Sequence, residues 1–324
     1  MITIMTPTYN RAYILPVLYE SLCNQTNKDF EWIIIDDGST DNTEELVKQW
    51  TESNLPFEII YKKKKNGGKH TAINDGVLIS KYDWFNVVDS DDFLTPNSVE
   101  VKIKWISSIE KDDTFAGVWG LRGYIEKNEI IGTYPVEKKY KQFIDIIGLP
   151  YYIIKYRLQG DKDAVVRTHL YKQFPFPEYE GENFMSEAVF WLKVGQAGLK
   201  SRVINEITRR GEYLQDGLTS AGEKIYIDNF EGYTLAEQIN IKNPGLHPYC
   251  IHVRRYFRIA KQKGLRFHEA RVKLGITVFM AYFVYAAKVV STPMNILNIY
   301  KKNGFKGVLT EAKEKFKHLK NLFM

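Results

Sequence analysis

Cysteine is nearly absent: Cys23 and Cys250, far apart in the sequence, are the only two in 324 residues. This argues against a disulfide framework, and the chain has no Cys/His spacing of the kind that holds zinc. Both thiols are expected as ordinary core residues in a reducing compartment. The glycine signatures that cradle phosphate, G-x-G-x-x-G and G-x-x-x-x-G-K-[ST], are missing as well. Gly67-Gly68-Lys69 comes nearest, without the upstream glycine or the following Ser/Thr. A bound phosphate must therefore be met mainly by basic side chains and metal. Long apolar runs are also lacking. The nearly uncharged stretch Gly275–Ala287 falls short of the ~20 residues that cross a bilayer. The amino terminus, Met1-Ile2-Thr3-Ile4-Met5, has neither the basic region nor the long apolar region of a signal peptide and reads as a first strand.

What is present suffices for a large core, since 44% of residues are hydrophobic and 14% aromatic. The net charge of +6 hides an asymmetry: residues 241–324 hold 17 Lys and Arg against 3 Asp and Glu, which leaves −8 on residues 1–240. Basic tails meet nucleic acid or anionic lipid. Large apolar groups interleaved with the lysines favour lipid over nucleic acid. Val308, Ala312, Phe316, Leu319 and Phe323 share one helical face, with Lys313, Lys317 and Lys320 mostly off it. That is the pattern of an interfacial helix on an anionic membrane surface.

The first third alternates strand and helix patterns in the manner of βαβ units. Strands are expected at Ile2–Met5, Glu31–Ile35, Phe57–Tyr61 and Trp84–Val88, with helices at Ala12–Asn24, from Ser39-Thr40-Asp41 to Trp50, and at Thr71–Ile79. The fold class is α/β with a doubly wound parallel sheet. From about residue 115 the strands shorten, as at Ala116–Leu121 and Ala164–Arg167, and a helix is expected from Ser186 to Gly195. Three regions follow: 1–115, 116–235 and a helical basic region over 236–324.

Two acidic clusters directly follow apolar runs: Ile33-Ile34-Ile35-Asp36-Asp37-Gly38-Ser39-Thr40-Asp41 and Val87-Val88-Asp89-Ser90-Asp91-Asp92. Buried parallel strands read as such runs, and open α/β sheets bind ligands beyond the carboxyl ends of their strands. Carboxylates so crowded repel one another unless a cation or hydrogen-bond donors meet them. With Thr6-Pro7-Thr8-Tyr9-Asn10-Arg11 after the first strand, and Asn66-Gly67-Gly68 through Asn74-Asp75-Gly76, the two clusters make four motifs in register. Together they resemble the family 2 glycosyltransferases, in motif detail over about residues 1–100 and more weakly to about residue 220.

The resemblance implies a GT-A fold, with a nucleotide-sugar-binding half over 1–115 and an acceptor-binding half over 116–235, and a nucleotide-diphospho-sugar donor. Thr8, Tyr9 and Asp37 inherit the nucleoside base, and Asp36 contributes less directly. Uridine is preferred, because Asp37 can accept a hydrogen bond from the uracil N3–H. The D-x-D element maps onto Asp89-Ser90-Asp91, with Asp89 near the ribose or sugar and Asp91 as the carboxylate for Mn²⁺ or Mg²⁺. Lys69 is a candidate diphosphate contact. The family's base, an acid opening a helix in the second half, corresponds to Glu187 in Ser186-Glu187-Ala188-Val189-Phe190-Trp191, with Glu182 and Glu180 as alternatives. Ala188 stands where a second acid is common.

Other expectations are structural. Asp92 is read as a cap for the next helix, Asp161 as a salt-bridge partner and His70 as a surface or packing histidine. Arg209-Arg210-Gly211-Glu212-Tyr213 is expected in a loop, either a flexible one over the donor or a plain surface one. The resemblance implies an inverting enzyme that adds one sugar to a saccharide or lipid-linked acceptor in cell-surface polysaccharide synthesis. Such an enzyme would work in the cytoplasm, peripheral to the inner membrane face. Two alternatives stay open: a sugar-nucleotide nucleotidyltransferase, disfavoured by the missing glycine-rich amino-terminal loop, and a non-catalytic scaffold.

Overall fold

A computed structural model describes residues 1–147, 155–214, 217, 221–242, 246–281 and 284. The chain divides into two compact units, the first ending at Gly222 and the second starting at Glu223.

The first unit is built on one mixed sheet. Its strands are β1 (Ile2–Thr8), β2 (Phe30–Asp36), β3 (Glu58–Lys63), β4 (Trp84–Val87), β5 (Phe93–Leu94), β6 (Phe115–Gly123), β7 (Phe143–Ile147), β8 (Lys162–Arg167) and β9 (Lys200–Arg210). They lie in the order β3-β2-β1-β4-β8-β6-β9-β5, with β7 also on β9. The parallel, doubly wound part is β3-β2-β1-β4, and β8 enters antiparallel between β4 and β6. β1 and β2 are buried at every position, which is why they read as unbroken apolar runs.

Helices α1 (Leu15–Cys23), α2 (Thr43–Thr51), α3 (Lys69–Ile79) and α4 (Ser98–Ser107) belong to this part. α1 starts later than Ala12 because residues 11–14 form a turn, in which Ile14 and Leu15 donate to the Arg11 carbonyl. α3 starts earlier than Thr71, at Lys69, and this places the lysine at the mouth of the strands. Leu15, Leu18 and Leu22 face the core, and Tyr19 stacks on Trp50 with ring centroids 4.3 Å apart.

Strands from before and after residue 115 pair within one sheet, β4 with β8 and β5 with β9, so the expected halves 1–115 and 116–235 share that sheet. The helix Phe230–Asn240 runs across residues 235 and 236, and the compact units part after Gly222.

The second unit contains the helices Lys224–Asp228, Phe230–Asn240, Leu246–Gln262 and Phe267–Leu274. Phe230, Tyr233, Tyr256, Phe257 and Cys250 form its core, and Cys23 is half-buried in the first unit. Gly275, with φ +78°, closes the last of these helices inside the uncharged run. Among the described residues no helix is long and apolar enough to cross a membrane. The amphipathic pattern over residues 308–323 lies outside the described residues.

Candidate active site

The site forms where β1, β2 and β4 end at the same edge of the sheet. The backbone carries this edge past the strands: Asp37 N–H donates to the Thr8 carbonyl at 2.8 Å, and Val88 N–H to the Met5 carbonyl at 2.9 Å. Thr8 is buried, and its Oγ1 has no hydrogen-bond partner. Such an orphaned hydroxyl is costly and marks a place for a ligand atom. Tyr9, next in the chain, is exposed.

The Asp36-Asp37 pair is buried but well supplied with donors. Asp36 accepts from Ser39 N–H and from Tyr61 Oη, both at 2.7 Å. Asp37 Oδ1 accepts from Lys64 Nζ at 3.1 Å and Gly67 N–H at 2.9 Å, and its Oδ2 accepts from Gly68 N–H at 2.7 Å. The carboxylate thus ties down the loop ahead of α3 and keeps unused acceptor capacity on Oδ2. Lys64, a member of what looks like a solvated lysine run, is half-buried against it.

Lys69 begins α3 and draws together three of the expected residues. Its Nζ lies 2.5 Å from Asp89 Oδ1 and 2.5 Å from Glu187 Oε1. Burial works against the Lys69 ammonium, but the two carboxylates outweigh it and hold the group above the usual lysine range. Glu187 occupies the N-cap position of the helix Ala188–Gln196. Glu180 is exposed in the turn before it.

The approach of this segment to α3 depends on Gly68. Its φ is +91°, and a Cβ there would sit 1.8 Å from the Asn183 carbonyl oxygen. Farther along α3, Asn74 donates to the Phe176 carbonyl at 2.8 Å and accepts from Phe176 N–H at 3.0 Å.

The three aspartates after β4 have distinct fates. Asp89 is half-buried, and Lys69 and Arg209 hold its carboxyl below the usual range. Asp91 forms no ion pair within 4 Å among the described residues, and burial together with the Asp89 charge pushes its carboxyl up against its own backbone N–H and the more distant charges of Arg11 and Lys69. Ser90 is buried between them. Asp92 does not cap a helix, since α4 starts only at Ser98 with Asn97 at its N-cap. Instead it is 2% exposed and takes Arg122 Nη2 at 2.7 Å and Arg209 Nε at 3.3 Å, while burial pushes its carboxyl up to about 6 against these cations.

Arg209 and Arg210 are not in a loop. They end β9, in register with Arg122 and Gly123 of β6. Arg209 also donates to the Lys162 carbonyl at 3.0 Å. Arg122 reaches Asp161 at 3.1 Å, and Tyr213 Oη donates to the same carboxylate at 3.0 Å, so Asp161 is a salt-bridge partner as expected. Beneath lies a fully buried pair, Lys102 Nζ and Asp163 Oδ2 at 2.7 Å, completed by Asn86 and Thr208. The sequence signal for Arg122 is a charged residue inside an apolar strand, in Gly120-Leu121-Arg122-Gly123. His70 is buried, as expected of a packing residue, with Nδ1 unpartnered.

Among the described residues no group of three or more His, Cys, Asp or Glu side chains is arranged to hold a metal.

Comparison with known proteins gives this geometry a context. The profile of glycosyl transferase family 2 matches residues 3–159. Glycosyltransferase GlyA of Streptococcus pneumoniae is 26% identical over 266 residues, covering 82% of this chain and 32% of that protein. A chondroitin synthase of Pasteurella multocida is 37% identical over 119 residues, covering 37% of this chain and 12% of that protein. The chain thus spans a third or less of the length of these relatives. Among solved structures, S. aureus TarS 1-349 in complex with UDP-GlcNAc superposes with a TM-score of 0.59 at 18% identity, covering 98% of this chain and 91% of that one. A mannosyltransferase from Pyrobaculum calidifontis in complex with GDP-Man and Mn²⁺ gives 0.54 at 16% identity, covering 97% and 86%. The fold is GT-A, as the sequence motifs imply.

Proposed function

We propose, from the match of residues 3–159 to glycosyl transferase family 2, that the chain transfers one sugar, with inversion, from a nucleoside-diphosphate sugar to a hydroxyl of a saccharide or lipid-linked acceptor. The observation that carries this reading is the Lys69 bridge, which sets the donor aspartate Asp89 beside Glu187 on a separate element. Thr8, through its orphaned hydroxyl, Tyr9 and the free acceptor capacity of Asp37 serve the nucleoside, with Asp36 fixing the turn beneath them. Asp89, Ser90 and Asp91 line the diphosphate end, with Lys69 tied to Asp89 beside them. A UDP-sugar is the preferred donor, in keeping with the N3–H acceptor at Asp37 and with the UDP-GlcNAc bound by TarS.

A divalent cation fits the residues present. Asp91 is a carboxylate without a cation partner beside a second carboxylate, and burial disfavours its charge. Hard cations of this kind take one or two carboxylates and complete their shell with substrate phosphates and water, so a cluster of three protein acids is not required. When bound at Asp91, Mn²⁺ or Mg²⁺ supplies charge that stabilises the departing diphosphate.

Glu187 acts as the base. The acceptor oxygen forms its bond to the anomeric carbon from the face opposite the leaving group, and the bond from that carbon to the β-phosphate oxygen breaks. The electron pair leaves on the diphosphate while the hydroxyl proton passes to the Glu187 carboxylate. Nothing in the described residues favours the nucleotidyltransferase or scaffold readings.

The setting we propose is cell-surface polysaccharide synthesis at the cytoplasmic face of a membrane, with the basic residues of 241–324 drawn to anionic lipid. Nucleotide release from a panel of UDP-sugars, with and without saccharide acceptors, tests the reaction. The wild type should release UDP with at least one donor, and Glu187→Gln should bind UDP normally but lose turnover. UDP release by Glu187→Gln at the wild-type rate would remove Glu187 as the base.

A further inference from the structure

The sequence suggests Lys69 as a diphosphate contact; the geometry points to a different task, that of a positioning residue which fixes the base relative to the donor. This inference rests on Glu187 being the base. Lys69 Nζ is shared between Asp89, on the turn after β4, and Glu187, at the head of the helix Ala188–Gln196. No other contact described here joins those two residues. An ammonium has three N–H donors, and two of them are committed to these carboxylates.

The surroundings are built to keep this bridge in place. Gly68 lets the Asn183 carbonyl lie against the amino-terminal end of α3, four residues ahead of Glu187. Asn74 pins the same helix to the backbone of Phe176 in both directions. Glu178 accepts a further bond from Asn74 at 3.0 Å. α3 and the segment leading to Glu187 are thus registered by backbone contacts, and Lys69 converts that register into a fixed side-chain position. Without Lys69, Asp89 and Glu187 would face each other as like charges with only the more distant Arg209 charge between them, and would move apart. The base would then be unfixed while the nucleoside end of the site, built from Thr8, Asp36 and Asp37, stayed as it is.

Steady-state turnover and UDP titration on Lys69→Met, Lys69→Arg, Glu187→Gln and the double variant Lys69→Met/Glu187→Gln separate the possibilities. Misplacing a catalytic group by an ångström costs on the order of 10²-fold in rate, so Lys69→Met should lose about that in kcat while its UDP dissociation constant stays within about threefold. Lys69→Arg, which keeps a cation able to fork between two carboxylates, should recover at least tenfold of the loss, on the order expected for a restored charged contact. The double variant should be no slower than Glu187→Gln alone, since residues acting through one another are not additive. Weakened UDP binding in Lys69→Met by about tenfold or more, with kcat at saturating donor preserved, would overturn the proposal in favour of a phosphate contact. Equal loss in the Met and Arg variants with a lowered melting temperature would overturn it in favour of a purely structural lysine. An active Glu187→Gln would instead mark failure of the base assignment, while an inactive Glu187→Gln beside a Lys69→Met of wild-type kcat would leave that assignment standing and remove only the role of Lys69.

Discussion

Replacing Gly68 by alanine should damage catalysis more than stability. Two costs are separable. The first is conformational: at φ +91° a Cβ is strained, which amounts to about 1–2 kcal/mol. For a unit of this size that lowers the melting temperature by roughly 2–8 °C. The second is contact. The new Cβ would lie 1.8 Å from the Asn183 carbonyl oxygen, where real Cβ atoms keep at least 3.0 Å, so α3 and the segment carrying Glu187 must separate by more than an ångström. The 2.5 Å contact of Lys69 with Glu187 then opens, and a displacement of that size costs on the order of 10²-fold in kcat. Gly181→Ala is the control, because it too adds a Cβ at positive φ, +78°, while nothing lies within 4 Å of that Cβ. Thermal melts and UDP release at saturating donor read the two costs apart. Both variants should melt lower, and only Gly68→Ala should be slow. Equal kcat in the two, at equal loss of melting temperature, would refute the claim that the close approach at Gly68 sets the base.

Asp91→Asn should abolish the dependence of UDP binding on divalent cation, and chelation should reduce wild-type affinity to the level of this variant; calorimetry checks both. Lys102→Met leaves Asp163 buried without its cation, a loss of about 3–5 kcal/mol, read as a lowered midpoint in urea. Asp37→Ala frees Gly67 and Gly68 N–H and Lys64, and it should cost about 1–3 kcal/mol and weaken UDP binding as the loop loosens. His70 is buried, and burial holds its pKa below 6.5. An unfolded chain therefore takes up a proton first as the pH falls, so the stability contributed by neutral His70 is present above 6.5 and lost below it. Melting temperatures across that range should fall less steeply for His70→Gln than for the wild type.

Much of this was legible from local sequence rules. Fully buried β1 and β2 announce themselves as apolar runs, and the acidic turns that follow lie at their carboxyl ends for a topological reason. Glu187 and Asp89 were legible as separate motifs, but not their joint hold on Lys69, since residues 69, 89 and 187 are brought together only by the sheet order. Asp92 illustrates the limit best. An aspartate two or three residues past a strand looks like a helix cap, and only the antiparallel entry of β8 and the arrival of β9 beside β6 reveal the two arginines that bury it. Arg209 was misplaced for the same reason: a doubly charged Arg-Arg-Gly reads as a loop, whereas a long-range acidic partner keeps it in a strand. The Lys102–Asp163 pair gave no local signal, because each looks like a surface charge until its partner is known.

The account stands on a donor site made by the ends of β1, β2 and β4, and calorimetric titration of UDP, GDP and dTDP into the wild type and Asp91→Ala, with and without Mn²⁺, addresses it most directly. Metal-dependent binding of UDP, lost in Asp91→Ala, is the predicted result. Failure of all three nucleotides to bind in the presence of Mn²⁺ would contradict it and leave a GT-A fold without a donor site.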